Sequence, residues 1–139
     1  MFARIPSFVF AVSMFGSAAA ASSGEDFDAV AAAPASHQVL LENEEVRVLR
    51  VTIAPGVTEP VHDHRWPSVM YFEHPQPITY ITYELVDGKP VETGRVDAPP
   101  FEASTAEWAE PEGLHAVRNR GSEPFVAVRV EFKPSAKAQ

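Results

Sequence analysis

From His37 onward the chain is cut into short β-prone runs, and this pattern leaves few folds open. "HQVLL", "EVRVLRVTI", "SVMYF", "ITYITYELV" and "PFVAVRVEF" are rich in β-branched and aromatic residues, with turn residues such as "APG" and "EHPQP" between them. No segment beyond residue 36 shows helical periodicity, and the 13 prolines fall mostly at the joints between runs. About eight to ten short strands can bury their apolar residues only in two packed layers or in a closed barrel. The expectation is one antiparallel domain, a sandwich or a jelly roll, without internal repeats.

Local signals refine this picture. Asp87-Gly88 between two strand runs predicts a tight hairpin. "AEWAEPEGLHAVRN" reads as strand, turn at 111–113, then strand. In "EVRVLRVTI" the apolar phase moves from Val46 and Val48 to Leu49, Val51 and Ile53, which predicts a bulge or a strand passing between faces. "PFVAVRVEF" alternates cleanly, with Val126, Val128, Val130 and Phe132 on one face and Phe125, Ala127, Arg129 and Glu131 on the other.

The beginning of the chain has another character. "MFARIPSFVFAVSMFGSAAAASS" has one basic residue, a short apolar run and then small residues, the order of a secretory signal peptide cleaved after Ala20 or Ala21. An uncleaved anchor is the alternative, but the run is short for a span of ~20 residues and carries serines and a proline. The expectation is export to a periplasm or out of the cell, with no stable membrane association after cleavage. Residues 21–36, small and acidic, read as a flexible lead-in, 37–134 as the barrel and 135–139 as a polar tail.

Composition excludes several functions. The absence of cysteine removes disulfides, thiolate ligands, nucleophilic thiols and a lipoprotein anchor. Without residues 1–20 the chain has 10 basic and 19 acidic residues, a net charge of −9. Such a charge repels a phosphate backbone, so nucleic acid is not an expected partner, and a metal ion or cationic ligand suits it better.

Two of the five histidines stand one residue apart in "TEPVHDHRW". On a strand, His62 and His64 point to one face and Asp63 to the other, so two neutral imidazoles can chelate a divalent transition metal. Upstream, "GVTEPVHDH" is G-x5-H-x-H from Gly56. Downstream, "PEGLHAVRN" is P-x-G-x-H-x3-N from Pro111 to Asn119.

Together these resemble the two motifs of the cupin superfamily, over most of residues 38–133. The resemblance implies a small all-β jelly-roll β-barrel and a metal held by His62, His64 and His115. The chain departs from the pattern in places. Where the first motif carries a glutamate, four or five residues after the second histidine, this chain has Ser68 and Val69. Its later glycine falls near Pro75. One residue, not two, separates Gly113 from His115, and Thr105 replaces the glycine expected before Pro111. Met70, Glu73 and Glu59 are the candidates for a fourth ligand; waters filling the remaining positions are the simplest alternative.

The implied cofactor is one divalent transition metal, Fe, Mn, Zn, Ni or Cu, acting on a small-molecule ligand in the barrel. If the protein is an enzyme, oxygenase-type chemistry is expected, with hydrolase-like or isomerase-like chemistry open to the same histidines. A non-catalytic ligand-binding barrel is the rival, and a structural role in a homodimer is a third reading. His37 is expected at the fold's edge and His74 in a solvated turn. Trp66 and Trp108 are expected to cap the barrel or line its mouth. The tyrosines are expected in strand packing. Arg50, Arg118 and Arg129 are candidates to hold a carboxylate inside the barrel, with solvent the usual place for strand arginines and the expected one here.

Overall fold

The computed structural model describes residues 24–135, so the leader expected over 1–20 lies outside the described residues, as does most of the tail. One turn of helix, α1 (Ala29–Ala32), comes first. The strands follow: β1 (His37–Glu42), β2 (Val46–Ile53), β3 (His62–His64), β4 (Ser68–His74), β5 (Ile78–Val86), β6 (Lys89–Ala98), β7 (Ala106–Ala109), β8 (Glu112–Asn119) and β9 (Phe125–Phe132). They form two sheets, ordered β1-β2-β9-β4-β7 and β3-β8-β5-β6, with every pairing antiparallel. The chain stays within one sheet only from β1 to β2 and from β5 to β6, and crosses between the sheets at every other step from strand to strand. This is the expected jelly-roll barrel.

Asp87 and Gly88 both take positive φ, 51° and 76°, which makes the predicted hairpin between β5 and β6 a tight turn of the kind that matches strand twist. Buried Asn119 closes the other end of the barrel. Its Nδ2 donates to the carbonyls of Ile53 and Glu123 at 2.9 and 2.8 Å, and its Oδ1 accepts from the amide of Gly121. Asn119, the last residue of the second motif, thus ties the turn after β8 to the end of β2.

The cross-strand registers define the interior. Val51, Ala127 and Phe72 lie opposite one another across β2, β9 and β4; next come Leu49, Arg129 and Met70; then Arg47, Glu131 and Ser68. The inner face of this sheet therefore runs from apolar to charged. At the apolar end Val51, Ile53, Phe72, Ile78, Phe125 and Ala127 form the core, and Phe101 stacks on Phe72 at 4.1 Å. Truncating Phe72 to alanine there costs ~3–5 kcal/mol by the usual cavity arithmetic.

Three expectations are corrected. β2 has no phase slip: its register with β9 is unbroken from Val46 to Ile53, and Arg47, Leu49, Val51 and Ile53 all face inward. The apparent slip arises because an inward position is an arginine, paired with Glu131 and Asp28; the irregularity lies in β1, between Val39 and Leu41. Residues 24–36 are not loose: Phe27, Ala29, Ala33 and Ser36 are buried, and the carbonyl of Phe27 accepts from the amide of Asp63. Arg129, expected in solvent, is 2% exposed.

Candidate metal centre

Four imidazoles meet where the inner face turns polar. β3 points His62 and His64 inward and leaves Asp63 on the outside, as a period of two requires. His115 on β8 is the direct cross-strand partner of His62. Ring centroids are 4.4 Å apart for His62 and His115, 5.2 Å for His62 and His64, and 5.6 Å for His64 and His115. The three histidines singled out by the motifs are thus neighbours.

The fourth imidazole is a correction. His37, expected at the edge, is buried at the start of β1, with its ring 4.6 Å from His62 and 5.2 Å from His64. One ligand atom from each of His37, His62 and His64 lies within 4.8 Å of the others, and the same holds for His64, Glu112 and His115. The compact all-imidazole group thus contains His37, with His115 in the second group, and His64 is common to both. His74 is exposed, as expected.

Each ring is oriented by its Nδ1. His62 Nδ1 lies 2.8 Å from the carbonyl of Pro60, His115 Nδ1 2.7 Å from that of Gly113, His37 Nδ1 3.1 Å from that of Ala33, and His64 Nδ1 2.7 Å from the Glu131 carboxylate. All four partners are acceptors, so Nδ1 carries the proton and Nε2 keeps its lone pair for a ligand. Burial favours the same state. It pushes His37 down to about 4 and His62 to about 3, and holds His64 and His115 below the ordinary histidine value. At neutral pH the site presents four uncharged donors.

A chain of charges braces the rings from behind. Glu131, fully buried, also accepts from Arg47 Nε at 2.6 Å, and Arg47 grips Asp28 with both terminal nitrogens at 2.9 and 2.8 Å. On the other side Tyr80 stacks on His115 at 4.9 Å and donates its hydroxyl to Glu112 at 3.0 Å. Burial works against charge on Glu112, but neighbouring Arg129 wins and holds the carboxyl below its ordinary value. Glu59 has no such cation in contact; burial pushes it up to about 8, with its oxygens 3.9 Å from Nε2 of His37 and of His62.

These groups line a cavity of about 90 Å³ whose other end is apolar, with Val51, Phe72 and Phe101 in its wall. Of the fourth-ligand candidates, Glu59 and Met70 face the cavity, whereas Glu73 is drawn to Arg50 at 3.0 Å. Ser68, where the motif would place a carboxylate, is buried and its hydroxyl has no hydrogen-bond partner. The tryptophans are elsewhere: Trp66 lies under the Arg47 guanidinium at 4.8 Å, and Trp108 is 58% exposed on the outside of the sheet.

Sequence reasoning gave Glu112 and Glu131 no role, and it weighed His37, Tyr80 and Arg129 but favoured the fold's edge, strand packing and solvent for them. Two signals were available. Glu112 lies inside the second motif, and Arg129 and Glu131 share the phase of Phe125 and Ala127.

Two antiparallel sheets closed around a histidine-lined cavity make this the fold of a cupin domain, a double-stranded β-helix. The solved structure of a cupin domain from Bordetella pertussis Tohama I superposes with a TM-score of 0.59 at 23% identity, over 70% of this chain and 92% of that one. A protein of Bacillus halodurans superposes with a TM-score of 0.50 at 17% identity, over 72% of this chain and 71% of its own. No protein-family model and no curated protein matches the chain.

Proposed function

We propose that the protein is an exported barrel that holds one divalent transition metal among His37, His62, His64 and His115 and offers it to a small ligand in the cavity. The observation that carries this reading is the fixing of all four Nδ1 atoms by acceptors, which leaves four Nε2 lone pairs uncommitted at a buried site. Uncommitted imidazole nitrogens suit Zn, Fe, Ni, Cu or Mn better than Mg or Ca. Bound there by neutral ligands, the ion keeps its full charge and acts as a Lewis acid toward an anion or a water. The residues divide the remaining work: Glu131 and the three carbonyls orient the rings, the apolar wall excludes water, and Glu59 keeps a proton beside His37 and His62. The leader-like sequence of residues 1–20 supports export.

The test is elemental analysis of the purified full chain after exposure to each metal in turn. About one ion per chain is expected, with affinity reduced roughly tenfold or more in His62→Ala and in His37→Ala. A protein that retains none of the five metals is the non-catalytic barrel instead. An assembly role is a second reading, favoured by the apolar outer face of the larger sheet.

A further inference from the structure

Arg129 is a buried cation whose ion pair with Glu112 leaves part of its guanidinium without a hydrogen bond. It sits on the inner face of β9 between Leu49 and Met70, at the boundary of the apolar core and the histidine cluster, and its side chain is 3% exposed. A guanidinium has five N–H donors and no acceptor, and when buried it is normally forked onto carboxylates. Here that demand is met only in part. Glu112 forms an ion pair with Nη2 through one carboxylate oxygen, without the two parallel hydrogen bonds of a fork. Nε has none either, with Glu131 3.9 Å away, and Nη1 reaches only the Met70 thioether at 3.7 Å. Glu131 is meanwhile occupied by Arg47 and His64.

Arg129 also lines the cavity, together with the apolar residues at its other end. We propose that Arg129 anchors the carboxylate of a small organic acid, whose apolar body lies toward Phe72 and Phe101. The planar fork supplies a pair of parallel donors to a carboxylate, which a neutral amide cannot use in the same way. A cavity of about 90 Å³ limits the acid to a few heavy atoms. Glu112 competes for the same guanidinium, and in this respect the inference rests on the metal reading: an ion held by neutral imidazoles adds the positive charge that offsets Glu112.

Isobutyrate and its neutral isostere isobutyramide serve as probes, titrated calorimetrically into the full chain at millimolar concentrations, both with zinc and after chelation. Metal content is measured on the same samples. Isobutyrate is expected to bind at least about tenfold more tightly than the amide, and Arg129→Lys, which keeps the charge but loses the fork, is expected to remove that preference. If zinc is bound and Arg129→Lys leaves isobutyrate affinity unchanged, the carboxylate is held by the metal; the proposal falls while the metal reading stands. If no zinc is retained, the metal reading falls, and the acid-over-amide preference of the metal-free chain decides the proposal alone. Circular dichroism checks the fold of the variant. Should Arg129→Lys not fold, equal binding of the two probes to the wild type is the overturning result.

Discussion

At the scale of single residues, the site is four bases and one acid that burial forces to stay neutral, and this fixes how stability depends on pH. The folded pKa values of His37 and His62 fall from 6.5 to about 4 and about 3, and those of His64 and His115 also fall. Below pH 6.5 the unfolded chain therefore takes up protons that the folded chain refuses, and stability drains as pH drops. Glu59 works in the other direction. Its pKa rises from 4.5 to about 8, so its contribution is complete below 4.5 and is lost as pH climbs toward 8. Between these limits four histidines outweigh one glutamate; above 6.5 Glu59 acts alone, at ~1.4 kcal/mol per pH unit. The metal-free protein is thus expected to be most stable near pH 6.5. Urea midpoints measured with chelator present test this, and a midpoint that climbs steadily from pH 6.5 to 8 contradicts the buried, protonated Glu59.

At the scale of elements, the strands were legible and their faces were not. Turn chemistry located the hairpin at Asp87-Gly88, and β-propensity located β1, β2, β4, β5 and β9 to within a residue or two. Which face of β9 turns inward could not be read from hydrophobicity. The valine face points out, and the face with Arg129 and Glu131 points in, because those charges find partners only inside the barrel. The same substitution of pairing for apolarity disguised Arg47 in β2. His37 was invisible for a different reason: its place in the site depends on the β1–β2 register and on Ala33, neither of which has a local signature. Segment 24–36 was misread because alanine buries little area of its own, yet Ala29 and Ala33 are completely enclosed. That segment also supplies Asp28 to Arg47 and the Ala33 carbonyl to His37. A chain beginning at His37 is therefore expected to bind metal about 10–100-fold more weakly, since it loses partners that orient the ligands. Competition for zinc against a chromophoric chelator measures this; an unchanged affinity would show that the segment covers the site without shaping it.

At the scale of the molecule, placing charges inside leaves an apolar surface outside. Across the larger sheet, Leu41, Val48, Val130, Val69 and Trp108 follow one another from β1 to β7 in direct register, all on the outer face. Leu41 is 50% and Trp108 58% exposed, and Phe132, stacked on Trp108 at 5.9 Å, and Tyr71 widen the patch. The ion pairs Arg50–Glu73 and Lys133–Glu42 supply charge at two sides. An apolar centre with polar pairs around it is the composition of a protein interface rather than of a solvated sheet. A second copy is the occupant expected here, because an apolar row with charged pairs at two sides can meet its own copy about a two-fold axis. Sedimentation of the purified protein at micromolar concentration is expected to give twice the mass of the chain. Val69→Lys places a charge at the middle of the row and should yield monomers with unchanged circular dichroism. The side chain at 69 points away from the cavity, so metal content should survive that substitution. A wild type that sediments as a monomer would remove the assembly reading, and monomers that lose their metal would mean that the outer face stabilises the site within.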